Sequence, residues 1–205
     1  TMPKSVTAQT GFDAFCHNFE AYLSVNTNPL VEVMALEAIR IINENLHKVL
    51  EDGSNMEARS QMAWADTLGV LTNSNAGVTL PHGLGMQVGG HCPQVTHGQA
   101  LAAFYPAFTR YTYPAAIEKF ATVGRILNSE LCGLDNVAAA KQCCEEIDKF
   151  LQRIGLWIGY SELGVSMEDI REISDCGQVL GDYLNNPRVA TIDEMYELLI
   201  SCYQR

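Results

Sequence analysis

The chain has 205 residues, of which 47% are apolar and 18% charged, and its 24 Asp+Glu against 13 Lys+Arg give a formal net charge of −11. That apolar content supplies the core of one domain, and the modest charge content excludes a disordered acidic linker. With so few cations there is no basic stripe to follow a phosphate backbone, which excludes nucleic acid as the main partner, and no apolar run approaches the roughly 18 residues of a membrane span.

The N-terminal Thr1-Met2-Pro3-Lys4-Ser5 has neither a hydrophobic segment nor a cleavage pattern of small residues. The seven cysteines are an odd number, with Cys143 and Cys144 adjacent and no CxxC pair. They read as free thiols of a reducing cytoplasm rather than a disulfide framework or a thiolate zinc knuckle.

Apolar spacing predicts a first helix over residues 12–24. From Pro29 to Leu50, apolar residues at Leu30, Val33, Met34, Leu36, Ala38, Ile39, Ile41, Ile42, Leu46 and Val49 predict a helix buried on more than one side. Glu51-Asp52-Gly53-Ser54-Asn55 stops it, and Ser54 or Asn55 caps a helix from Met56 to about Leu71, with Glu57 in its first turn. Residues 71–96 hold five of the sixteen glycines and two of the seven prolines and read as irregular.

Helices follow over 98–108 and over 114–127, where Pro114 suits a first turn. The next runs from Asp135 or Asn136 to Ile154 and ends at Gly155. Ser166 caps another with an acidic first turn, and Thr191 with Glu194 forms the capping box of a last helix ending at Cys202. No strand-like alternation intervenes, so the fold class is all-α.

Asp13 and His17 stand four apart, which on a helix brings both side chains to one face, where they could grip a divalent cation. A pair of this kind recurs by chance and alone decides little. His82, His91 and His97 fall within 16 residues, among glycines. Three histidines together with the upstream pair favour a metal over structural roles. Glu20, one turn beyond His17, could either orient a ligand histidine or serve as a solvated or capping glutamate. Cys16 and Cys92, beside histidines, are expected to be small buried fillers, Trp64 and Trp157 to be core residues, and His47 to have no function.

The run Thr7-Ala8-Gln9-Thr10-Gly11-Phe12-Asp13-Ala14-x-x-His17-x-x-Glu20-Ala21-Tyr22 closely resembles the opening of the second domain of iron-containing, metal-dependent (group III) alcohol dehydrogenases. The resemblance continues through Asn28-Pro29, residues 35–46, Glu57-Ala58-Arg59, His82-Gly83, His97-Gly98, Gly164-Val165 and Asn186-Pro187-Arg188. It implies the C-terminal, multi-helix domain of the iron-type alcohol dehydrogenase/dehydroquinate synthase-like fold, spanning residues 1–205. It further implies a metal, Fe²⁺ or Zn²⁺, held by Asp13, His17, His82 and His97. The metal would polarise the oxygen of a small alcohol or aldehyde while hydride passes to or from NAD or NADP.

Two departures from the family pattern stand out. Met86 occupies the position four residues after the third ligand, where many members carry a histidine, and 14 residues rather than 13 separate His82 from His97. His91 is then the only nearby histidine for a proton relay, with water as its equal rival. The family's Gly-Gly-Gly-Ser phosphate loop is nowhere in the sequence, and Gly83-Leu84-Gly85 does not replace it. The chain is therefore expected to be part of a longer two-domain enzyme, partnered by an N-terminal cofactor domain and without dehydrogenase turnover alone. A face left open by that domain could also support homo-oligomers. The rival expectation from another class is a non-catalytic helical assembly domain with structural histidines.

Overall fold

In the computed structural model, which describes residues 2–205, the chain forms nine α-helices and, among the described residues, no strand. The first helix, α1 (Lys4–Leu23), begins eight residues earlier than the apolar spacing indicates, because Pro3 opens it and its carbonyl accepts the Thr7 amide at 2.9 Å. Small and polar residues fill that first stretch, so the helical period shows only from Phe12 onward. Asn28 caps α2 (Pro29–Glu51) and Asn55 caps α3 (Met56–Ala76), each side chain accepting first-turn amides. Gly77, at φ 72°, ends α3 in the left-handed region that glycine tolerates.

Residues 80–91, expected to be irregular, form α4 (Leu80–His91). Pro81 sits in its first turn, and Leu80, Leu84 and Val88, spaced by four, are fully buried. Tertiary packing overrides four unfavourable glycines here. Gly85 lets α4 approach α5 (His97–Thr112) closely, since a Cβ there would lie 3.1 Å from Leu101 Cδ2.

The chain continues through a 3₁₀ turn at Tyr113–Ala115, where a helix start was expected, into α6 (Ile117–Leu127) and α7 (Asn136–Arg153). The Ser166–Asp169 and Thr191–Glu194 capping boxes then open α8 (Met167–Asp175) and α9 (Ile192–Ser201). A 3₁₀ turn at Gly181–Asn185 crosses against α4.

Helix α1 runs through the centre, packed by α2, α3 and α5. Its Phe12, Phe15 and Phe19 are fully buried and meet Tyr105, Phe120 and Phe150 with ring centroids 5.1–6.4 Å apart. Burial of each such ring contributes about 1.5–3 kcal/mol, and this aromatic stack fixes the rotation of α1. Cys16 and Cys92 are buried as expected, whereas Trp64 is 51% exposed on the outer face of α3 and is not a core residue. Among the described residues, no helix is long and apolar enough to cross a membrane.

Candidate metal centre

The aromatic face of α1 turns Asp13 and His17 toward the N-terminal ends of α4 and α5. Those ends carry His82 and His97. Gly98 permits the closest approach, because a Cβ there would stand 2.8 Å from Gln9 O on α1. Gln9 also fixes the start of α5 from the side: Thr96 Oγ1 lies 3.0 Å from Gln9 Oε1 and 2.8 Å from Gln99 Oε1.

Asp13 Oδ1 is the hub of the resulting group. It lies 3.4 Å from His82 Nε2, 3.5 Å from His97 Nε2 and 3.9 Å from His17 Nε2. Asp13, His82 and His97 each offer a ligand atom within 4.8 Å of the others. His17 stands at the margin of that trio, its ring stacked on His82 with centroids 4.6 Å apart. The structure therefore brings Asp13, His82 and His97 to one point and His17 beside it.

Two polar atoms at this point, Asp13 Oδ1 and His82 Nε2, are buried and have no hydrogen-bond partner. Buried polar groups are normally satisfied, so two orphans facing each other call for a third species between them. A tetrahedron with metal–ligand bonds of about 2.1 Å has edges of about 3.4 Å, close to the His82 and His97 separations from Asp13. One carboxylate with imidazoles suits Fe²⁺ or Zn²⁺ and does not discriminate between them.

The electrostatics agree with a site for positive charge. Burial would raise the Asp13 carboxyl, yet the three histidines outweigh it and hold that carboxyl below its usual range. Burial opposes protonation of His82, but Glu20 and Asp13 override this and raise its pKa to about 10. Burial instead prevails at His97, lowering it against the pull of Asp13.

Beneath the centre lies Glu20, a carboxylate with no exposure at all. Its Oε2 accepts the Thr79 amide at 2.9 Å and is 3.3 Å from Thr79 Oγ1, while its Oε1 is 2.9 Å from His82 Nδ1 and 3.4 Å from the Tyr105 hydroxyl. Glu20 is therefore not a solvated glutamate: it pairs with the His82 ring and also accepts the amide of Thr79 at the start of α4. Asp182, on the 3₁₀ turn beside Gly83, is half-buried near His82 and Glu20, and burial raises its carboxyl.

The structure does not bring His91 to this group. It lies nine residues beyond His82 on α4, about 13.5 Å along the axis and half a rotation round it. Its Nδ1 pairs instead with its own helix at Gln87 O, 2.9 Å away, and its neighbouring charge is Asp169. His47 stays on α2, outside the group.

The fold has close counterparts among known proteins. The sequence model of the Fe-containing alcohol dehydrogenase family, C-terminal, matches residues 7–203. The chain belongs to this family. It is 31% identical over 96% of its length to the NAD-dependent methanol dehydrogenase of Bacillus methanolicus, covering 51% of that protein. It is 33% identical over 94% of its length to the 1,3-propanediol dehydrogenase of Klebsiella pneumoniae, covering 50% of it. The alcohol dehydrogenase of Oenococcus oeni superposes with a TM-score of 0.94 at 28% identity, over 98% of this chain and 52% of that one. The chain thus spans about half the length of the relatives it matches, and its all-helical architecture is that of the C-terminal half of the Fe-containing alcohol dehydrogenases.

Proposed function

We propose that this chain is the metal-holding half of a dehydrogenase that interconverts a small alcohol and its aldehyde using NAD or NADP. The observation that carries the proposal is the pair of buried, unpartnered ligand atoms, Asp13 Oδ1 and His82 Nε2, converging with His97 Nε2. Asp13, His82 and His97 would hold the metal, and His17, one turn from Asp13 and stacked on His82, would complete the set. When bound, Fe²⁺ or Zn²⁺ would supply Lewis acidity to the substrate oxygen.

The rest of the work falls to the chain's own side chains. The Asp13 carboxylate supplies the negative charge that makes the position favourable for a cation. Stacking of His17 on His82 limits rotation of both rings, and the α1–α5 contact at Gly98 fixes His97 relative to Asp13. His97, the most exposed of the three at 40%, borders the side from which a substrate would enter. Nicotinamide would be presented by a separate N-terminal half, a reading supported by relatives about twice the length of this chain. Because hydride transfer needs the reacting carbons held about 3–3.5 Å apart, residues 1–205 alone are expected to lack turnover.

The test is elemental analysis of the untagged chain purified anaerobically, beside a His82→Ala/His97→Ala double variant. Near-stoichiometric iron or zinc that is lost in the variant supports the reading. A wild-type chain that is empty and rejects both added ions refutes it.

A further inference from the structure

We infer that Glu20 is the positioning residue of this centre: it dictates which nitrogen His82 turns to the metal and ties together the three helices that carry the ligands. The inference rests on the metal reading above and extends it to a residue that touches no ligand position itself.

A fully buried carboxylate is costly unless every acceptor site is used. Glu20 meets that condition without any lysine or arginine. Its four acceptor sites face Thr79 N–H, the Thr79 hydroxyl, His82 Nδ1 and the Tyr105 hydroxyl. A carboxylate oxygen accepts, and the amide of Thr79 already donates to Oε2, so the geometry assigns the ring atom 2.9 Å from Oε1 as the N–H donor. Nδ1 therefore keeps its proton toward Glu20, and Nε2, the buried atom without a partner, is the nitrogen that would exchange its proton for a cation.

The partners of Glu20 come from different elements. Thr79 is the residue that starts α4, and its amide is a main-chain donor that cannot rotate away. Tyr105 lies on α5, two turns beyond His97, and is fully buried. Glu20 itself stands seven residues after Asp13 on the same face of α1. One side chain thus fixes α1, α4 and α5 relative to each other at the place where Asp13, His82 and His97 meet.

The experiment compares the wild-type chain with Glu20→Gln and Tyr105→Phe. Zinc affinity is measured by competition with a chromophoric chelator, and the His82 ring is read by ¹⁵N–¹H NMR of the zinc-loaded, ¹⁵N-histidine-labelled protein. Helix content and thermal unfolding of the metal-free chains serve as the structural control. Glu20→Gln is expected to weaken zinc about 10- to 100-fold and to shift or lose the His82 Nδ1–H signal. Tyr105→Phe, which removes one donor and keeps the ring in place, should weaken zinc by about two- to tenfold and remains informative if the first variant does not fold. Wild-type zinc affinity with an unchanged Nδ1–H signal in either folded variant would overturn the inference. A wild-type chain that takes no zinc would overturn the metal reading and this inference with it, and that outcome is visible before any variant is made.

Discussion

Gly98→Ala tests the link between the packing of α5 and the geometry of the centre. The new Cβ would stand 2.8 Å from Gln9 Cβ and from Gln9 O, and 3.0 Å from Gln9 C. Carbon contacts settle at about 3.5–4.0 Å, so α5 must retreat from α1 by roughly 0.5–1 Å, and two of the three obstructing atoms are main chain that cannot swing aside. Overpacking of this kind costs about 1–3 kcal/mol, which at this chain length lowers Tm by about 2–4 °C per kcal/mol. His97 is the neighbour of Gly98, so the same retreat widens its 3.5 Å separation from Asp13 and should weaken zinc by about tenfold, equivalent to about 1.4 kcal/mol. Thermal unfolding of the metal-free chain and zinc competition of the folded chain measure the two effects separately. A variant that melts and binds zinc like the wild type would show that the α1–α5 contact is neither tight nor coupled to the centre.

Gly90→Ala is the counterpart: nothing lies within 4 Å of its Cβ position, and the change should stabilise α4 by about 0.4–1 kcal/mol, read as a small rise in Tm. Asp148→Ala removes the carboxylate that meets Arg110 at 2.6 and 3.2 Å; since Glu145 and Pro106 O still hold the guanidinium, the expected loss is about 1–2 kcal/mol by denaturant titration. Tyr160→Phe deletes the buried bond to Ala100 O and should cost about 1 kcal/mol with zinc affinity unchanged, which separates core stability from the centre. Stripping zinc with a chelator should lower apparent Tm in the wild type, by the equivalent of about 4 kcal/mol from zinc at 1,000 times its Kd, and leave the His82→Ala/His97→Ala melt unmoved.

What could be read from the residues depended on whether a local pattern carried the information. Helices α2 and α7 follow from periodicity and caps, and the starts of α8 and α9 lie where Ser166 and Thr191 place them. Helix α4 was hidden because its glycines argue for irregular chain, while the walls that make it helical come from α5, α8 and the turn at Gly181–Asn185. That omission also misdirected the reading of His91. In a loop His91 could reach the same centre as His82, but on a helix nine residues turn it to the opposite face. Asp13 and His17 were visible as a helical pair, and His82 and His97 through their resemblance to a family pattern. Thr79 left no trace in the sequence, since it acts mainly through its amide, and Tyr105 is one aromatic among many until α5 is seen to cross α1.

The glycine content of α4 has a consequence for how the ligand group is assembled. Four glycines in twelve residues disfavour the helix by about 4 kcal/mol relative to alanine, and so short a segment has almost no helicity by itself. Its order depends on the packing of α5, α8 and the Gly181–Asn185 turn around it, and the placement of His82 beside Asp13 depends on that packing too. The proposed ligand group of Asp13, His82 and His97 is therefore complete only in a chain whose α4 walls are packed.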